Sequence, residues 1–166
     1  MELPKRKTIR LQGYDYDTPG YYFITICTEN KKPLLCRIVG TGLPDGPRVV
    51  FSTYGKIADK QLRFMRNFYE GIRVDKYVIM PNHIHMVLAL ESDGDGPSGR
   101  PVPTDTKIAR FVGSFKRFCN RQYGKNIWQY RSYDHVIRSE KDYFKIWQYI
   151  DGNPGKWMED CFYTEN

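Results

Sequence analysis

The sequence predicts a single α+β domain: an antiparallel sheet with helices on one face, ordered as a split βαβ sandwich, followed by an extra C-terminal helix. Three observations predict it. Strand-like runs and helical apolar stripes alternate as strand, helix, two strands, helix, strand, helix. The 166 residues, 40% of them hydrophobic, suffice for one sizeable core and are short for two. No internal repeat is apparent, and the two Gly- and Pro-rich stretches fall between elements.

The first strand is read in Tyr21 to Thr28, rich in aromatic and β-branched residues and ended by the polar Glu29-Asn30-Lys31-Lys32. Gly40 to Pro47 reads as a loop. From Ser52, apolar residues Tyr54, Ile57, Ala58, Met65, Phe68 and Tyr69 recur at helical spacing until Gly71. Val74 to Met80 and His83 to Leu90, separated by Pro81-Asn82, read as two strands. Ser92 to Pro103 is a second loop. Ile108, Phe111, Val112, Phe115, Cys119 and Tyr123 then form the stripe of a second helix, with Lys107, Arg110, Lys116, Arg117 and Arg121 largely off it. Ile127 to Arg138 reads as the fourth strand. Ser139, followed three residues later by Asp142, offers the start of a third helix over Glu140 to Asp151. This is the ferredoxin-like order with one helix added.

Lys and Arg number 26 against 19 Asp and Glu, a net charge of +7 that favours a polyanionic partner such as nucleic acid. Residues 1–17 are read as a basic N-terminal arm. No signal peptide or membrane-spanning stretch is visible, and Cys27, Cys36, Cys119 and Cys161 show no CxxC spacing, so reduced thiols in a cytoplasm are expected.

The chemistry centres on two histidines. Alternation along a strand puts His83, His85, Val87 and Ala89 on one side and Ile84, Met86, Leu88 and Leu90 on the other. The second set should pack on the helices, leaving both imidazoles on an uncovered face, roughly 6.5–7 Å apart along the backbone. Taken alone, the pair fits either ordinary polar side chains or an open metal site.

The stretch Tyr77-Val78-Ile79-Met80-Pro81-Asn82-His83-Ile84-His85-Met86-Val87-Leu88 resembles the histidine-hydrophobe-histidine motif of the HUH endonuclease superfamily, in its IS200-like and REP-associated tyrosine transposase form. Ile127-Trp128-Gln129, Asp134-His135-Val136-Ile137-Arg138, Asp142-Tyr143 and Tyr149-Ile150, followed by Asn153-Pro154, resemble the REP-associated branch in order and spacing. The resemblance spans Gly20 to Trp157. It implies a single tyrosine nucleophile on the last helix, at Tyr149, and a third ligand four residues on, at Asn153, joining His83 and His85 around Mg²⁺ or Mn²⁺. It further implies cleavage and rejoining of single-stranded or hairpin DNA through a covalent 5′-phosphotyrosine. On a helical wheel Tyr149 lies roughly 110° from the centre of the stripe Tyr143, Ile146, Trp147 and Ile150, so its hydroxyl can reach outward. Asn153 precedes Pro154, which disfavours helical backbone and leaves it either a ligand or a helix-ending turn residue. Arg110, Lys116, Arg117 and Arg121 are candidate DNA contacts, and the Asp134-His135 pair is a further candidate.

The short link into the third helix favours a monomer with both halves of the site on one chain. A replication or plasmid-relaxation nickase shares this chemistry. A non-catalytic nucleic-acid-binding module explains charge and aromatics but gives no reason for His83, His85 and Tyr149 to occur together.

Overall fold

The computed structural model describes residues 14–92 and 106–165. Among the described residues, six strands, β1 (Gly20–Cys27), β2 (Cys36–Val39), β3 (Arg48–Phe51), β4 (Ile72–Ile79), β5 (His83–Leu90) and β6 (Tyr133–Ile137), accompany three α-helices, α1 (Thr53–Phe68), α2 (Lys107–Tyr123) and α3 (Glu140–Gly152). The main sheet runs β4-β5-β1-β6, and every neighbouring pair is antiparallel. Its order follows from the sequence: each helical crossover skips one strand, so β5 comes to lie between β4 and β1.

Local chemistry sets the helix starts. Ser52, Thr106 and Ser139 each accept a hydrogen bond from the backbone N–H three residues on, and Gly124, at φ 72°, ends α2 in the left-handed conformation that glycine adopts without strain. The apolar stripes of α1 and α2 pack on one face of the sheet. Leu62, Met65, Phe111 and Phe115 meet Tyr22, Ile24, Ile26, Ile84, Met86 and Leu88 in the larger core.

The expectation of helices on one face only does not hold. A second apolar cluster, Val87, Ile137 and Ile150 with Phe23, Val78, Tyr143 and Ile146, places α3 against the opposite face. All eight residues of β5 are therefore buried. The uncovered histidine face expected from the sequence is covered, because α3 carries enough apolar surface to pack back on the sheet instead of extending it.

Other elements differ in detail. The chain between β1 and α1, expected to hold only a loop, forms the β2–β3 hairpin, with Gly40 to Pro47 connecting the two strands. These strands are four residues long and half exposed, too short for a period-2 signal to stand out. The expected fourth strand shrinks to β6. Asn126 bonds both backbone groups of Trp128, and Lys116 bonds the carbonyls of Gln129 and Tyr130, so side chains satisfy this backbone in place of a ladder. Trp128 meets Thr28 only in an isolated bridge. In β4 the register shifts between Val74 and Lys76, a bulge. Of the expected N-terminal arm, residues 1–13 lie outside the described residues, while Tyr16 is buried in the core and the Asp17 carboxylate accepts from the Lys107 N–H at the start of α2. The loop expected after Ser92 likewise lies outside the described residues. Among the described residues, no helix is long and apolar enough to cross a membrane.

Gly55 shows how tightly the hairpin seats on α1: a Cβ there would stand 2.0 Å from the Leu35 carbonyl oxygen and 3.3 Å from the Phe51 Cβ. Backbone cannot yield as a flexible side chain can. Gly55→Ala is expected to lower the unfolding free energy by about 1–3 kcal/mol, an overpacking cost, measured by urea denaturation.

Candidate functional site

His83 and His85 project from β5 toward α3, opposite Cys27 and Thr25 of β1. Their ring centroids are 4.4 Å apart, and the residues are 0% and 1% exposed. Burial holds both in the neutral form. The His83 pKa falls to about 2, through desolvation and then the neighbouring His85 and Lys31, and that of His85 to about 3 through desolvation.

Their tautomers follow from the neighbours. Asn82 directs its amide Nδ2 at two carbonyls, those of Lys31 and Phe162, so its Oδ1 faces His83 Nδ1 at 2.8 Å. An amide oxygen only accepts. His83 must therefore carry its proton on Nδ1, leaving the lone pair on Nε2. That Nε2 is buried and has no hydrogen-bond partner. Thr25 Oγ1 lies 2.7 Å from His85 Nδ1 and fixes that ring, while the Tyr149 hydroxyl lies 3.3 Å from His85 Nε2. Partners on Nδ1 that turn Nε2 inward are the arrangement expected of metal-binding histidines.

α3 brings Tyr149 to this point. The tyrosine is 44% exposed, and its ring packs on His85 and Phe23. Burial and the Asp160 carboxylate raise its pKa, while a hydrogen bond with the Asn153 side chain works the other way. The net direction is upward, which favours the neutral phenol. Asn153 keeps helical backbone (φ −58°, ψ −44°) despite the following proline, because Pro154 opens a new 3₁₀ helix, Pro154–Glu159, at whose first position no N–H is required. Asn153 is thus both the end of α3 and a side chain one turn beyond Tyr149. It is buried, and its Oδ1 has no hydrogen-bond partner.

The 3₁₀ helix turns the chain back over the histidines. Asp160 Oδ2 comes within 3.9 Å of His83 Nε2, and ligand atoms of His83, His85 and Asp160 all lie within 4.8 Å of one another. Tyr149, Asn153, Lys156 and Asp160 line one cleft. Two imidazole nitrogens, a carboxylate and an amide oxygen, two of them buried without partners, fit a divalent cation. Sequence reasoning missed Asp160, Asn82 and Thr25. The signal available for Asp160 was the aromatic run Trp157, Phe162 and Tyr163, which marks the segment after Pro154 as packed.

The expected DNA contacts are not brought to this site. Arg110, Arg117 and Arg121 are exposed on α2, across the sheet from the histidines. Lys116 differs from expectation: its ammonium donates to the Gln129 and Tyr130 carbonyls at 2.7 and 3.2 Å, and burial lowers its pKa to about 8. It ties the 129–130 loop to α2. The members of the Asp134-His135 pair point to opposite sides of β6, Asp134 inward and His135 to the surface, where its Nε2 lies 2.9 Å from Asp142 Oδ2.

No family model matches the chain. A protein of Haemophilus influenzae described only as uncharacterised is 31% identical over 96% of this chain and 94% of its own length. A solved REP-associated tyrosine transposase bound to a REP hairpin superposes with a TM-score of 0.60 at 23% identity, covering 89% of this chain and 74% of that one, a likeness of fold. The REP-associated tyrosine transposase of Escherichia coli is 34% identical over 50% of this chain and 44% of its own length. The chain is related to the REP-associated tyrosine transposases over about half its length. It spans less than half the length of that Escherichia coli relative. This family relationship agrees with the motifs Tyr77 to Leu88 and Asp134 to Arg138, which pointed to the same branch.

Two outcomes follow from the buried histidines. Their folded pKa values lie below the unfolded value near 6.5, so below that pH the unfolded chain binds protons that the folded chain does not. Chelator-treated protein is expected to lose stability as pH falls from 6.5 toward 4, by up to about 1.4 kcal/mol per pH unit for each histidine. A His83→Gln, His85→Gln double variant should flatten that slope in urea titrations. Asn82→Ala removes the acceptor that fixes His83 and is expected to weaken Mn²⁺ binding by about 10- to 100-fold, read by calorimetry.

Proposed function

We propose that this chain is a metal-dependent DNA strand transferase that cleaves and rejoins single-stranded or hairpin DNA, with Tyr149 as nucleophile. The observation that carries this reading is the placement of the Tyr149 hydroxyl 3.3 Å from His85 Nε2, beside a second neutral histidine and two oxygen donors. The relationship to REP-associated tyrosine transposases supports it, as does the REP hairpin bound by the solved protein of like fold.

His83 and His85 would hold Mg²⁺ or Mn²⁺ together with Asp160 and Asn153. When bound, the ion supplies Lewis-acid polarisation of the scissile phosphate. The chain's own residues do the rest. Thr25 and Asn82 keep the imidazoles turned inward, and Asn153 draws the phenol toward its anionic form against the effect of burial. Tyr149 Oη attacks phosphorus, forming the tyrosyl ester as the bond to the 3′-oxygen breaks. The phenol gives up its proton, and the 3′-oxygen leaves as a hydroxyl. One phosphodiester is exchanged for another, so a second 3′-hydroxyl reverses the step without ATP. The 44% exposure of Tyr149 leaves that ring open to an incoming strand, and an unpaired strand presents its phosphate to such a half-covered site more readily than a stacked duplex does. Arg110, Arg117 and Arg121, across the sheet, would bind phosphates of the same DNA away from the cleavage point.

Wild-type protein incubated with end-labelled hairpin-bearing single strands and Mn²⁺ is expected to give a denaturation-resistant protein–DNA adduct. Tyr149→Phe should give none. His83→Ala and His85→Ala should each slow adduct formation by about 100-fold or more while DNA affinity stays near wild type, as expected for lost charge stabilisation at the phosphate. An adduct that survives Tyr149→Phe refutes the nucleophile assignment. Tight binding with no cleavage of any strand by wild type favours a binding module.

A further inference from the structure

We propose that the bulge in β4 is a positioning device for the nucleophile, in which Asp75 and Lys76 together hold α3 in register over the histidines. The inference rests on reading Tyr149 as the nucleophile and concerns what keeps it in place.

In a regular strand, adjacent residues face opposite sides of the sheet, so at most one of Asp75 and Lys76 could reach α3. The register shift between Val74 and Lys76 removes that restriction. On one side of the bulge Ile72 and Val74, and on the other Ile79 with Tyr77 against it, belong to the larger core. The two residues between those sets both turn to the α3 face. Asp75 Oδ2 accepts a hydrogen bond from the Tyr143 hydroxyl at 2.5 Å, in the first turn of α3. Its other oxygen lies 3.4 Å from Arg73 Nη2. Lys76 pairs with the Asp151 carboxylate in the last turn, and its ammonium sits 4.0 Å over the Trp147 ring.

Tyr149 lies between Trp147 and Asp151, so the Lys76 contacts bracket the nucleophile along the helix. They also resist the motion that matters most. The apolar contacts beneath α3, Val87, Ile137 and Ile150 with their neighbours, are few and non-directional and would tolerate a small slide or rotation. A directional clasp at each end does not. Lys76 is well placed for this: its side chain is only 17% exposed, and its ammonium is held between the Trp147 ring and the Asp151 carboxylate.

The test uses the full chain with a labelled hairpin-bearing single strand and Mn²⁺, measuring adduct formation in single turnover at saturating DNA, and DNA affinity by anisotropy. Lys76→Met keeps the aliphatic stem and loses the charge. It is expected to slow adduct formation about 10- to 100-fold with DNA affinity unchanged, since small displacements of a reacting group cost that much. Lys76→Arg, which can make both contacts, should stay near the wild-type rate. Lys76→Met at the wild-type rate overturns the proposal, as does Lys76→Arg as slow as Lys76→Met. If Lys76→Met does not fold, Asp151→Asn, at a side chain 62% exposed, carries the same expectation and the same refutation. If wild type forms no adduct, the nucleophile reading fails by itself. The clasp is then read from hydrogen exchange, where Lys76→Met must speed exchange across α3 while leaving α1 and α2 unchanged, and equal protection of α3 refutes it.

Discussion

A central strand buried on both faces can carry polar side chains only where each finds a partner, and β5 carries two histidines in that position. Covering by α1 and α2 on one side and by α3 on the other leaves His83 and His85 essentially without solvent. A buried donor or acceptor left unpaired costs about 1–3 kcal/mol. The surrounding structure meets three of the four ring nitrogens with Asn82, Thr25 and Tyr149, and the fourth, His83 Nε2, meets nothing within hydrogen-bond reach. Much of the rest of the site follows from that constraint. Asn82 is oriented by two backbone carbonyls so that its oxygen serves the ring, and neutral imidazoles follow from the desolvation.

The same constraint separates two kinds of buried polar group. Thr28 is satisfied by backbone carbonyls and holds the ends of β1 and β5 together, a purely structural service. His83 Nε2, 3.9 Å from the Asp160 carboxylate, and Asn153 Oδ1, of a side chain lining the same cleft as Asp160, are lone pairs without partners. Acceptor atoms of that kind in a cleft suit a cation. The electrostatics of Tyr149 agree. Burial and Asp160 raise the pKa of its phenol, and positive charge in the cleft would lower it.

Positive charge is divided between two sides of the sheet. The arginines of α2 are exposed on the outer side of the larger core, away from the cleft, whereas Lys76 and Lys116 bond within the protein, one to α3 and one to the 129–130 loop. A net charge of +7 therefore overstates the cations free to meet nucleic acid, and two basic residues that look alike in sequence serve different ends.

By itself the sequence determined what depends on neighbours along the chain. Capping residues Ser52, Thr106 and Ser139, helical stripes and strand alternation are local, so the helices, the four main strands and the common side of His83 and His85 were legible. The family resemblance singled out Tyr149 and Asn153, and their convergence on the histidines needed the fold. Only the tertiary structure decided that α3 packs on the second face, because that rests on apolar area summed from α3 and four separate strands. It decided the role of Lys116, which depends on a loop thirteen residues away, and brought in Asp160, delivered by a turn that Pro154 starts. The bulge in β4 was likewise invisible, since one extra residue in a strand leaves no periodic trace in a window of eight. The physical reason is common to all four. Each is fixed by contacts between different elements of the fold, and a linear pattern carries no record of them.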